Sequence, residues 1–297
     1  MDPTTATAMP EPAAATAPGH TTSTKGLLLQ HEHGEHLSLR RYPASARTGR
    51  FVERYWSVHW DVRDQPVYEV QLIPHPCVNV SFMPGPGCEI YGVVSRSASR
   101  QLSGAGVVFG VKFRPGGFTA ATGHTASALT DLAIPMRDVF GPAADDLTEA
   151  VLATPADTQR LQLVDSFLER VLPRSHDGAY DLTLRMISTM LDDRSITRVS
   201  HVAGHHNVSV RTVQRLFHRY VGVGPKWVIR RYRMHDAAEL LSSGATDPAD
   251  LAVRLGWFDQ AHFARDFRFL VGMSPGEYAS VCAAGIDHVA RRTPRKS

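Results

Sequence analysis

Residues 196–278 repeat one local grammar twice, and this repetition constrains the fold more than any other feature. An apolar-periodic run (Ile196, Val199, Val202, Ala203) stops at Gly204-His205-His206-Asn207. A second helix is predicted to open at Ser209, whose hydroxyl can accept from a free backbone N–H of the first turn. Val213, Leu216, Phe217 and Tyr220 then share one face, opposite Arg211, Thr212, Gln214, Arg215 and His218. The pattern returns with a short helix begun by Pro248 (Ala249, Leu251, Ala252, Leu255), a turn at Gly256-Trp257-Phe258, and a helix capped by Asp259. In that last helix Phe263, Phe267 and Leu270 face inward; Gln260, Ala261, His262, Arg265, Asp266 and Arg268 face outward. Each pair reads as a helix-turn-helix unit, and residues 225–241 join them as one long helix.

This stretch resembles the AraC family of bacterial transcription regulators. The likeness is carried by Gly256-Trp257, Asp259, Phe263, Arg265, Phe267-Arg268, Gly272, Ser274-Pro275 and Tyr278. Ala203, Ser209, Arg215, Phe217, Gly222 and Pro225 support it in the first unit, and Arg233, Ala237 and Leu240-Leu241 between the units. The chain departs at Trp257-Phe258, where the family has Phe or Tyr followed by a small or acidic residue. That change is expected to alter packing at the turn and leave DNA binding intact. The resemblance implies double-stranded promoter DNA as partner, RNA polymerase as a candidate second one, and a monomer or homodimer.

For base readout the sequence nominates Arg211, Gln214 and Arg215 in the first unit and Gln260, His262 and Arg265 in the second. Arginine pairs with guanine O6/N7 and glutamine with adenine N6/N7; the competing role for each arginine is a phosphate contact. Ser209, Thr212, Arg219, Lys226 and Arg268 are the expected backbone anchors. Asp266 would repel phosphate, so it is expected to orient Arg265 or a neighbour. Arg233 is expected to be structural.

Charge agrees with this division. Residues 176–297 hold 17 Lys+Arg against 12 Asp+Glu, and residues 1–175 hold 15 against 17, so the basic excess lies with the helix-turn-helix units. Residues 1–25, rich in Ala, Thr and Pro with no Lys or Arg before Lys25, lack the charged start and apolar centre of a secretory signal and read as a disordered leader. No apolar run approaches a membrane span. Cys77, Cys88 and Cys282 are too sparse for a zinc or methyl-acceptor cluster and fit a reducing cytoplasm. In the tract His31-Glu32-His33-Gly34-Glu35-His36, Glu35 stands where a helical zinc motif needs its second histidine. It reads as solvated or weakly metal-binding, with a metal site as the competing reading.

The expected class is α+β: a mixed, β-rich sensory-type domain at 26–172, a linker at 173–179, an all-α DNA-binding domain at 180–285 and a basic tail at 286–297. Strands are predicted at 51–60, 67–73, 78–82, 88–94 and 107–113, and helices at 116–122, 145–152 and 157–172, the last opening with an Asp157 cap. That helix places Leu161, Val164, Phe167, Leu168 and Val171 on one face. Parts of this region resemble a less characterised regulatory domain of AraC-type proteins: Tyr42-Pro43, a hairpin from Leu72-Ile73-Pro74 to Val80, the run Gly110-Val111-Lys112-Phe113-Arg114-Pro115-Gly116, and Ile134-Pro135-Met136. No nucleotide loop or nucleophile elbow occurs, so neither catalysis nor a cofactor is expected. Trp56, Trp60, Tyr68, His75, Phe82, Tyr91 and Phe109 are the candidate lining of a small-molecule effector pocket. The alternative role for the domain is oligomerisation or protein contact alone.

Overall fold

The computed structural model describes Leu28 and residues 36–64, 68–175, 177–244 and 248–292, with side chains described except at 248–249 and 285–292. The leader and His31–Glu35 of the histidine tract lie outside these residues. Eight strands come first: β1 (Leu37–Pro43), β2 (Val52–Asp61), β3 (Tyr68–Leu72), β4 (Asn79–Met83), β5 (Gly87–Tyr91), β6 (Ala98–Leu102), β7 (Ala105–Phe113) and β8 (Ala133–Pro135). Six of them form one antiparallel sheet in the order β1-β2-β7-β4-β5-β8, while β3 and β6 pair as a separate ribbon. The predicted hairpin from Leu72 to Val80 does not form. The segment through Pro74-His75-Pro76 instead carries the chain from ribbon to sheet, as two prolines that cannot donate to a ladder would favour.

Alternation along β2 assigns its two faces. Tyr55, Ser57 and His59 point one way, toward the helices α1 (Gly117–Thr122), α2 (Arg137–Phe140), α3 (Ala143–Ala153) and α4 (Asp157–Val171). Asp157 does not cap α4. The cap position is Ala156, and the Asp157 carboxylate accepts instead from Tyr42 (2.9 Å), Ser57 (2.7 Å) and His59 (2.8 Å). Burial pushes its pKa up, but these bonds outweigh burial and bring it down to about 2. Asp165 likewise takes the hydroxyls of Tyr55 (2.5 Å) and Thr48 (2.6 Å). Helix α4 is thus pinned to the sheet by its acidic residues, while Val164, Phe167 and Leu168 supply the apolar seal; Val171, expected inward, is 40% exposed.

The helical half comprises α5 (Gly178–Asp192), α6 (Val199–His205), α7 (Val210–Leu216, extended by a π-turn over Phe217–Val221), α8 (Pro225–Ser242), α9 (Pro248–Arg254), α10 (Gln260–Val271) and α11 (Pro275–Arg292). Helix α11 continues past Gly285, where the basic tail was expected to begin. Two apolar cores run through the molecule, and both cross the sequence-derived linker. The first is continuous from the helix-side face of the sheet through α5, α6 and α7 to Val228, Ile229 and Tyr232 of α8. The second surrounds α9, α10 and α11 and takes in Leu28 and Ile73 from the N-terminal half.

Candidate nucleic-acid interface

Each unit is built as local chemistry demands. The Ser209 hydroxyl accepts from the Thr212 backbone N–H (3.1 Å), and the Asp259 carboxylate from that of His262 (2.6 Å). Asn207 adopts φ +51° in the first turn, and Gly256 φ +74° in the second. Behind α7 lie fully buried Val213, Leu216, Phe217 and Tyr220; behind α10 lie Phe263, Phe267 and Leu270. The opposite faces are open. Arg211, Gln214, Arg215, Lys226, Gln260 and Arg265 are exposed, and none makes a side-chain hydrogen bond or ion pair with another described residue.

The other nominated residues have local partners. Ser209 and Thr212 bond each other (3.0 Å). The Arg219 guanidinium lies 3.9 Å from Asp177 and over the Tyr220 ring. Arg268 pairs with Glu277 (2.9 Å), with both side chains about 60% exposed. His262 stands 3.5 Å from Asp266.

Of the two expected partners, Asp266 makes no bond to Arg265 but approaches its helical neighbour His262. It is buried, accepts from the Trp257 indole N–H (3.0 Å) and pairs with Arg230 (3.2 Å), so it ties α10 to the turn and to α8. This is what Trp257 changes at the turn: an indole supplies a donor that Phe lacks. Arg233 stacks 4.0 Å over the same ring and donates to the Leu255 carbonyl, and burial lowers its pKa to about 10, a structural position as expected.

The N-terminal half grips the first unit and the connecting helix. Asp177 caps α5 through the Tyr180 N–H (2.8 Å) and accepts the Tyr220 hydroxyl (2.6 and 2.7 Å). Those bonds, the Tyr220 hydroxyl foremost, hold its carboxyl below the usual range. The Tyr180 hydroxyl donates to the Arg50 carbonyl (3.1 Å), and the Thr130 hydroxyl to that of Gly222 (2.9 Å). On α8, Trp227 Nε1 and the Arg231 guanidinium both donate to the Ser95 carbonyl (3.0 Å each). Asp131, at φ +61°, fixes that loop by accepting from the Ser95 N–H and hydroxyl. Arg231 is 1% exposed with no carboxylate in ion-pair range among the described residues, and burial lowers its pKa to about 9. One turn on, His235 stacks against His75 with ring centroids 4.3 Å apart. Apart from the Asp177 cap, these grips were invisible to sequence reasoning, since each joins residues far apart in the chain.

The candidate pocket residues do not converge. Phe82 and Phe109 pair on the helix-side face as plain core, because strand register gives their side chains no other direction. His75 sits in the seam against α8. Trp56, Trp60 and Tyr91 share the other face of the sheet, where each indole lies over a cross-strand glycine, Gly110 and Gly106 respectively. Tyr91 donates to Glu89 (2.5 Å) and lies under Arg100 of β6, while Tyr68, on the β3–β6 ribbon, meets the His36 ring edge-on. Two open grooves, of about 630 and 330 Å³, lie elsewhere: one between α3 and α4, the other beside Cys88 and Met136.

Residues 188–280 match a family described as a helix-turn-helix domain, and residues 40–135 match a domain of unknown function, DUF6597. The regulatory protein PocR of Salmonella typhimurium is 32% identical over 106 residues, 36% of this chain and 34% of that protein. The transcriptional activator NphR of a Rhodococcus species is 29% identical over 164 residues, 54% and 47% of the two. The HTH-type transcriptional activator RhaS of Enterobacter is 31% identical over 99 residues, 33% and 36%. The chain thus spans less than half the length of these curated relatives. Among solved structures, the C-terminal domain of AraT, a response regulator from Geobacillus stearothermophilus, is 25% identical, with a TM-score of 0.33 over 35% of this chain and 88% of that one. ToxT from Vibrio cholerae is 11% identical, with a TM-score of 0.38 over 83% and 98%. Among the described residues, no helix is long and apolar enough to cross a membrane.

Proposed function

We propose that the chain is a transcription regulator of the AraC type that binds promoter DNA sequence-specifically, with α7 and α10 in successive major grooves; the likeness of residues 188–280 to a helix-turn-helix domain and to the activator RhaS supports this reading. The observation that carries this reading is the paired asymmetry of the two helices, sealed by aromatic cores behind and lined in front by Arg211, Gln214, Arg215, Gln260 and Arg265, whose side chains make no hydrogen bond or ion pair among the described residues. Helix α8 has 18 residues and so rises about 27 Å. With a helix radius of about 5 Å at each end, the readers span roughly one turn of DNA, ~34 Å. One copy of the chain then reads two half-sites. Ser209, Thr212, Arg219, Lys226 and Arg268 serve as phosphate anchors, and His262, polarised by Asp266, as a third contact of α10.

The N-terminal half acts as a regulator of that arrangement. Its aromatic sheet face (Trp56, Trp60, Tyr91), with Arg100 and Glu89 at the rim, is the surface suited to a small apolar effector. The loop after β5 connects this face to Ser95, and Ser95 to Trp227 and Arg231 on α8. An effector that favours one position of the loop shifts the arrangement of the readers. The test is selection of duplexes from a random library by the full chain, with and without cell metabolites. A two-part site spaced by about one turn supports the reading; enrichment of no sequence, with affinity depending on salt alone, would end it.

A further inference from the structure

In an apolar-capped helix the residue before the N-cap folds back onto the fourth helical residue. The first unit obeys this: Val208 packs against the core that contains Val213. In the second unit the corresponding pair is Phe258 and Phe263, yet Phe258 is 92% exposed. Its place over Phe263 is taken by Trp257, whose ring centroid lies 4.9 Å from that of Phe263 and which is itself tied to Asp266 and Arg233. The staple is therefore complete without Phe258, and a whole phenyl ring is left in water at the N-terminal end of α10. The same end presents Gln260, Ala261 and His262, all exposed. The N-terminal residues of a recognition helix are the ones that reach base edges. The apolar feature of a major groove is the C5-methyl group of thymine.

We infer that Phe258 is a specificity-determining residue that packs on a thymine methyl in the half-site read by α10. This rests on the DNA-reading function proposed above and adds to it a residue that neither charge nor hydrogen-bonding capacity would nominate. The contact removes apolar surface of both partners from water, and its loss is worth roughly a three- to fivefold change in affinity, the size expected for one methyl group.

The experiment uses the full chain and the duplex it selects from a random library. Each thymine of the α10 half-site is replaced singly by deoxyuridine, which deletes only the methyl group. For the unmodified protein, one such replacement should weaken binding three- to fivefold. Phe258→Ala should bind the thymine site that much more weakly and be indifferent to the replacement, whereas Phe258→Leu should keep most of the sensitivity. If Phe258→Ala and the unmodified protein respond alike to every deoxyuridine, the inference is wrong. If Phe258→Ala binds DNA unchanged but lowers transcription by purified polymerase at saturating promoter occupancy, the ring faces a protein and the inference is likewise overturned. Failure to select any sequence would instead remove the DNA-reading function, and this contact with it.

Discussion

The two helix-turn-helix units share one local plan and differ in what stands behind them. The first has no core of its own: Phe217, Tyr220 and Val221 lie in the apolar body that begins in the N-terminal sheet. The second has a separate core, to which the N-terminal half contributes Leu28 and Ile73. The ends of the two recognition elements show the same contrast. Gly222 (φ +87°) is pressed against the Ala126 carbonyl and the Thr130 hydroxyl, where an added Cβ would come within 2.8 Å of both. At Gly272 (φ +85°) an added Cβ would meet, among the described residues, only the amide of Gln71 at 3.7 Å. The first unit is thus fixed to the N-terminal half, and the second is placed relative to it by α8. Whatever holds α8 therefore sets the spacing of the two, and Ser95 holds it through Trp227 and Arg231.

The largest expected effect tests this contrast directly. Gly222→Ala incurs both the left-handed backbone cost, ~1–2 kcal/mol, and a collision with a backbone carbonyl worth ~1–3 kcal/mol more. Gly272→Ala incurs only the backbone cost, about 1–2 kcal/mol, since the Gln71 side chain can move. Denaturant midpoints of the two variants compare them, and equal losses would break the distinction between the units. Next come the readers. Arg215→Ala and Arg265→Ala should each relax preference at one base position, at a cost of ~1–3 kcal/mol, as read by selection on variant sites. A uniform loss on all sequences would make them phosphate anchors instead.

Arg231→Met should leave stability within about 1 kcal/mol, because the buried guanidinium has no carboxylate in ion-pair range among the described residues and methionine fills similar space. It should nonetheless broaden the distance between spin labels placed on α7 and α10; an unchanged distribution would show that Arg231 does not hold α8. Acid offers a graded version. The depressed pKa of Asp177 means its contribution is present above the ordinary carboxylate value of about 4. It is lost as pH falls through the lower, folded value. Amide exchange in α7 should therefore accelerate there, and Tyr220→Phe should weaken that dependence. The smallest effect belongs to the exposed Arg268–Glu277 pair, whose removal by Glu277→Gln should change stability by less than ~0.5 kcal/mol.

What the amino-acid sequence determined alone is what neighbours in the chain decide between themselves. The caps Ser209 and Asp259, the helical faces of α7 and α10, and the exposed Arg and Gln side chains follow from helical period and from hydrogen bonds spanning three residues. Strands 51–60 and 107–113 were legible for the same reason, since alternation is local. The Asp157 cap was misread because its carboxylate is shared between Arg160, one turn on, and Ser57 and His59, about a hundred residues away, and no local rule ranks those distant groups above its own helix. β1 and β6 escaped notice because their mixed polar composition becomes strand only when a partner completes the ladder. Tertiary structure alone decided that Phe82 and Phe109 face away from Trp56, that Asp266 serves Trp257, and that Trp257 displaces Phe258 into water. It alone also merged the first reader with the sheet. Burial is a property of the whole chain: a side chain is removed from water by whichever surface reaches it, and that surface here comes from across the linker.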